Sequence, residues 1–93
     1  MKYKVVEASA YRKDYKRAKR QGRDMSELRD VIGLLETGMP LPAEYRDHPL
    51  KGSYQGYREC HIEPDWLLVY KIDKGVLVLL LARTGTHSEL FDK

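Results

Sequence analysis

The apolar positions along the chain follow two rhythms. After Ser9, Tyr11, Tyr15 and Ala18 recur at i, i+4 and i+7, and Arg12, Lys13, Lys16, Arg17, Lys19 and Arg20 fill the positions around them. This is a narrow apolar stripe on an otherwise cationic helix. Ser9 is expected to cap the helix, its hydroxyl accepting from an N–H of the first turn, and Gly22 to stop it. Leu28, Val31, Ile32 and Leu35 repeat the rhythm in a second helix that starts at Asp24. Asp24-Met25-Ser26-Glu27 has the form of a capping box, and Gly38 and Pro40 end the helix. The short link Gly22-Arg23 predicts an antiparallel pair of helices.

A period of two governs most of the rest. Tyr3 to Glu7 reads as a short strand around Val5 and Val6. Gly56 to Ile62 alternates, with Tyr57, Glu59 and His61 on one face and Arg58, Cys60 and Ile62 on the other. Glu63-Pro64-Asp65 is a turn, Trp66 to Ile72 a strand, and Asp73-Lys74-Gly75 a second tight turn. Val76 to Arg83 is nearly all apolar and is expected inside the sheet. Met39 to Pro49, with three prolines, reads as irregular chain that delivers His48. Thr84 to Phe91 reads as a loop or one short helical turn. The order predicts an α+β domain, two N-terminal helices packed on one face of a mostly antiparallel four-stranded sheet. No element remains to cover the other face, which is expected to be an open binding surface carrying Tyr and His.

Length and composition narrow this picture. Ninety-three residues make one domain, 1–93, with one modest core. No N-terminal apolar run resembles a signal peptide and none approaches membrane-spanning length. The single cysteine, Cys60, excludes an internal disulfide, so a reduced, cytoplasmic setting is expected. His48, His61 and His87 lie too far apart in sequence for a familiar zinc spacing, so neither metal nor other cofactor is expected. Residues 1–29 hold ten Lys or Arg against four acids, a local +6, and the remainder seven against ten, a local −3. A basic first third suits an anionic partner such as nucleic acid, with Lys13, Lys16, Arg17 and Arg20 as candidate contacts; a merely solvated helix face is the plain alternative.

The chemistry sits at the strand ends. His48 precedes the hairpins, His61 and Asp65 flank the first turn, and Arg83 and His87 end the last strand. Hairpin geometry should bring Arg83 and His87 back beside Asp65, Trp66 and His61. Such a set can act on a phosphodiester: one group takes the proton of a 2′-hydroxyl, another gives one to the leaving 5′-oxygen, and a cation holds the phosphate. Histidine suits both proton roles. Taken singly each residue has a structural reading. Asp65 suits its turn, Trp66 the core, Phe91 the sheet edge, and Arg83 can pair with Glu59 or Asp73.

Three blocks in order carry a family resemblance: Asp47–Leu50, Gly56–Trp66 and Arg83–Phe91. Over essentially its whole length the chain resembles the RelE-superfamily mRNA interferase toxins, and within them the YafQ-like branch. The resemblance implies a ribosome-dependent endoribonuclease that cuts mRNA in the A site of the 70S ribosome without a cofactor. It also implies inhibition by a cognate antitoxin, expected to be a ribbon-helix-helix protein. Its acid–base set falls on His48, His61, Asp65 and His87. Arg83 matches a phosphate-binding position, and Trp66 and Phe91 positions that shape the site or hold a base. The competing function on the same fold is a non-catalytic RNA- or ribosome-binding module, in which the basic helix acts and the histidines are incidental.

Overall fold

The computed structural model describes residues 2–91. Its centre is a five-stranded sheet in the order β1-β5-β4-β3-β2, formed by β1 (Lys4–Glu7), β2 (His48–Pro49), β3 (Arg58–Glu63), β4 (Trp66–Asp73) and β5 (Val78–Gly85). Neighbours are antiparallel except β1, which runs parallel to β5 with Lys4 opposite Val78 and Glu7 opposite Leu81. β5 therefore lies inside the sheet, as its apolar run predicts. The chain also contains α1 (Ser9–Arg20), α2 (Met25–Glu36) and a short α3 (His87–Phe91).

Alternation sorts β4 between the two faces. Trp66, Leu68 and Tyr70 join Tyr11, Ala18, Leu28, Val31 and Leu35 of the helices, with Cys60, Leu79 and Leu81, in the main core. Leu67 and Val69 point the other way. That second face is not bare, contrary to the expectation from the sequence. Leu90 of α3 and the 50–57 segment, through Leu50, Tyr54 and Tyr57, pack against it, and Leu67 and Val69 are fully buried. Two stretches too short or irregular to register as layers supply the cover.

Local differences from the sequence reading have physical causes. β2 is a fifth strand where irregular chain was expected; only two residues long, it exists through its pairing with Arg58 and Glu59. Ser9 is already helical, and the cap residue is Ala8, whose side chain can bond nothing. The Ala8 N–H is held by Leu81 O at 3.0 Å, so the helix begins directly off the strand ladder. At α2 the Asp24 carboxylate does cap, accepting from Ser26 N at 3.0 Å. Glu27 does not bond back, and its Oε2 is buried without a hydrogen-bond partner among the described residues. The second turn is longer than expected. Asp73 Oδ1 accepts from Gly75 N at 2.9 Å and Val76 N at 3.3 Å, which carries the bend past Leu77 (φ 55°). Val76 and Leu77 are consequently exposed turn residues, not strand.

Candidate active site

Sheet register brings the histidines together. His48 stands opposite Glu59 across β2 and β3, and Glu59 and His61, two apart on one strand, share a face. The two-residue turn Pro64-Asp65 then reverses the chain, and β5 returns beside β4 with Gly85 opposite Leu67, setting His87 next to that turn. The three imidazoles form a row, with ring centroids 6.2 Å apart for His48 and His61 and 5.7 Å for His61 and His87. His61 is buried, His87 half-buried and His48 exposed.

Each ring is oriented by oxygen. His87 Nδ1 lies 2.7 Å from Asp65 Oδ1, which also accepts from the His87 main-chain N–H at 3.0 Å. Those two bonds, the main-chain one foremost, hold the Asp65 carboxyl below the usual carboxylate range. A carboxylate only accepts, so Nδ1 carries a hydrogen, and in the neutral ring the lone pair falls on Nε2. His48 Nδ1 faces Pro49 O and His61 Nδ1 faces Pro64 O, both at 3.2 Å. Their Nε2 atoms meet one oxygen, Glu59 Oε2, at 3.0 and 3.5 Å. Because carbonyls only accept, both Nδ1 atoms carry hydrogens, and two Nε2 lone pairs then face a carboxylate. A proton on each Nε2 satisfies that arrangement, and so does a divalent cation. His48, Glu59 and His61 offer donor atoms all within 4.8 Å of one another. The histidines lack a zinc spacing in sequence, but the β2–β3 register brings these donor atoms together in space without a local motif.

Behind the row Asp47 is tied to two neighbouring strands. Asp47, next to His48, accepts from the Tyr70 hydroxyl at 2.6 Å and from Arg58 Nε at 3.3 Å. Beside the row lies a groove of about 670 Å³ lined by residues that include Leu50, Lys51, Tyr54, Glu59, His87 and Phe91. Phe91 meets the Tyr54 ring edge-on, with centroids 5.4 Å apart, and is only partly buried.

Among the residues named from sequence, His48, His61, Asp65 and His87 converge, with Phe91 beside them. Three do not stand as expected. Trp66 is fully buried, its Nε1 donating to Thr84 Oγ1 at 3.0 Å, so it offers no face to a base and shapes the site only from beneath. Arg83 is held by Asp14, with Nε at 2.6 Å and Nη2 at 3.2 Å. Its partner is neither Glu59 nor Asp73, and the Nε–Nη2 edge of the guanidinium is taken up by Asp14 rather than open to a phosphate. Arg17 belongs to the same internal network, paired with Asp14 at 3.1 Å and Glu89 at 3.2 Å, so it is not a free surface cation. Lys13, Lys16 and Arg20 are exposed. Glu59, buried at 4% exposure between two imidazoles, was missed. Its place on the His61 face of an alternating strand was the available signal.

A family model for the bacterial YafQ toxin of type II toxin–antitoxin systems matches residues 3–92. The chain belongs to the YafQ toxin family. It is 51% identical over 83 residues to the mRNA interferase toxin YafQ of Escherichia coli K12, covering 87% of each. The YafQ fold is shared in space too. The E. coli DinJ–YafQ toxin–antitoxin complex contains a chain with TM-score 0.88 and 43% identity, covering 98% of this chain and 99% of that one. A metal-bound toxin from Helicobacter pylori gives TM-score 0.90 and 45% identity, covering 96% and 99%. Among the described residues no helix is long and apolar enough to cross a membrane.

Proposed function

We propose that this mRNA interferase, an endoribonuclease toxin, cuts mRNA in the ribosomal A site through the RNA's own 2′-hydroxyl. The observation that carries the reading is the row of three imidazoles with Asp65 on Nδ1 of His87. Asp65 fixes the tautomer in which His87 Nε2 is a lone pair, the form a general base needs. That atom takes the 2′-hydroxyl proton as the 2′-oxygen attacks phosphorus. The bond from phosphorus to the 5′-oxygen breaks, and an N–H from His61 or His48, each held on Glu59, protonates the leaving oxygen. The upstream fragment ends in a 2′,3′-cyclic phosphate. Exposed Lys13, Lys16 and Arg20 would dock the toxin on ribosomal RNA through phosphate contacts. A cognate antitoxin, as DinJ is for the E. coli YafQ, would block it.

The test is cleavage of mRNA on programmed ribosomes and free in solution, with His87→Ala alongside. Cleavage on ribosomes only, a cyclic or 3′-phosphate end, and a rate roughly 10²–10⁴-fold lower in the folded variant are expected. Equal cleavage of free mRNA overturns the ribosome dependence. A folded His87→Ala protein that binds ribosomes and arrests growth like the parent overturns the enzyme reading in favour of a binding module.

A second reading of the His48–Glu59–His61 corner has its own support. These are ligand types and distances for a divalent transition ion, and both Nδ1–H groups already donate to carbonyls, as metal-bound imidazoles do. An ion there would displace the protons that the cleavage route uses, so zinc should inhibit. Calorimetric titration with zinc, repeated on Glu59→Gln, tests this; equal affinity in both proteins removes the corner as a metal site.

A further inference from the structure

The most constrained part of the molecule outside the histidine row is the start of α3. Thr86 Oγ1 accepts from Glu89 N at 3.1 Å, and Glu89 Oε1 accepts from Thr86 N at 2.9 Å. This is a reciprocal capping box around the residue that follows Thr86, which is His87. A five-residue helix has no stability of its own. Leu90 on the sheet holds one side of it. The other side is held by α1, reached through the second oxygen of the same carboxylate. Glu89 Oε2 receives Gln21 Nε2 at 3.0 Å and Arg17 Nε at 3.2 Å. Arg17 also reaches Thr84 O at 3.4 Å and Asp14 Oδ1 at 3.1 Å. Burial pushes the Glu89 carboxyl up, but the Thr86 N–H, Gln21 and Arg17 together hold it below its usual value. Gly85 makes room for the contact, since a Cβ there would lie 2.8 Å from both Arg17 Nη2 and Glu89 Oε1.

We propose that Glu89, gripped by Arg17 of α1 and by Gln21 at the C-terminal end of that helix, is a positioning residue that sets where the His87 ring stands over the sheet. Asp65 orients the imidazole from the turn side; Glu89 fixes the backbone from which that imidazole hangs. One carboxylate thereby makes the placement of a proposed base depend on a helix whose outer face is cationic. The proposal rests on the nuclease reading only for its kinetic consequence, because ring placement is measurable in the free protein.

The experiment uses full-length toxin freed of antitoxin, as parent, Glu89→Ala, Glu89→Gln, Gly85→Ala and His87→Ala. It compares kcat and KM on programmed ribosomes, the His87 imidazole ¹⁵N signals, and thermal melting. Glu89→Ala should lower kcat at least tenfold at nearly constant KM and shift the His87 ring signals; misplacement by about 1 Å can cost 10²-fold. Glu89→Gln, whose amide oxygen can still accept from Thr86 N, should recover most of the loss. Gly85→Ala should change both readouts in the same direction by forcing two side-chain tips apart. It carries the test if Glu89→Ala does not fold. Unchanged ring signals in folded Glu89→Ala or Gly85→Ala overturn the proposal, whatever happens to melting or rate. If the parent and His87→Ala cleave alike, His87 is not the base, and the ring signals still decide the placement.

Discussion

Asp14→Ala is the sharpest test of the scaffold. Asp14 is 2% exposed on the inner side of an otherwise basic helix. Its carboxylate accepts from the Thr84 main-chain N–H at 3.1 Å, just beyond the point where β1 stops pairing with β5, and from Arg83 and Arg17. Truncation orphans a buried N–H, which costs about 1–3 kcal/mol. The guanidinium side chains of Arg83 and Arg17 are 26% and 32% exposed, so water can take up part of what they lose. Partly exposed pairs of this kind add roughly 1–2 kcal/mol together. Alanine's better helix propensity returns roughly 0.5 kcal/mol. The net loss is about 2–4 kcal/mol, a sizeable share of the 5–15 kcal/mol typical of a small domain. With roughly 4–8 °C per kcal/mol, the melting temperature should fall by about 8–30 °C. Asp14→Asn, which can still accept one bond, should fall between. The assay is urea and thermal unfolding followed by circular dichroism. A drop below about 3 °C in Asp14→Ala would refute the reasoning, since Thr84 and both arginines would then have found equal partners elsewhere.

Further outcomes follow from Cys60, Glu27 and the cations of α1. Burial foremost, with smaller effects from Asp47 and Glu59, raises the Cys60 thiol to about 12; a thiol reagent at mild alkaline pH should label the unfolded chain and leave the native one untouched, and rapid native labelling contradicts that burial. The nearby Glu63 carboxyl, and then burial, raise the Glu27 carboxyl above its usual value, so its contribution is fullest below the unfolded pKa and is lost as pH rises through the folded one. Glu27→Gln should therefore raise the melting temperature at neutral pH, with the gain fading toward about pH 4; a constant gain would point to another cause. Charge reversal at Lys13, Lys16 and Arg20 should reduce the slope of log K against log salt for ribosome binding by roughly 0.7–0.9 per lost contact. Unchanged binding would make α1 a solvated face, and Arg17→Glu should instead destabilise the fold.

Elements with a long local period were legible from the chain. α1, α2 and the β3–β4 hairpin stand close to where spacing puts them, because each buries a continuous stripe or alternate face. What escaped depends on partners distant in sequence. Nothing local marks His48-Pro49 as a strand, since its ladder belongs to Arg58 and Glu59. Nothing local tells exposed Val76 and Leu77 from the buried Leu79 and Leu81; the Asp73 side chain decides by extending the turn. Asp14 looked like one acid in a basic helix, and its buried role appears only when β5 lies alongside. The site was legible as a set of residues but not as a network. Convergence of the histidines follows from hairpin order, whereas the pairing of Arg83 with Asp14, and of both His48 and His61 with Glu59, is set by register. Thr86-His87-Ser88-Glu89 has capping-box spacing, but the five-residue helix it opens is too short to show a period of its own.

The residues of His61-Ile62-Glu63-Pro64-Asp65-Trp66 work together mechanically. A two-residue turn needs only a residue pair that can bend, yet each part of this one orients something else. The Pro64 carbonyl takes the His61 Nδ1 hydrogen and turns Nε2 toward Glu59. Asp65 takes both the ring and the backbone hydrogen of His87. The Trp66 indole N–H holds Thr84, whose hydroxyl donates to Leu67 O at 2.7 Å and whose main-chain N–H is held by Asp14. The bend therefore joins the end of β5 to the beginning of β4 through side chains, at the place where the two strands must agree on the height of His87. A substitution in the turn that preserved its bend but not these acceptors would keep the hairpin and loosen two imidazoles at once. Rigid support of that kind is what proton transfer within hydrogen-bond reach requires.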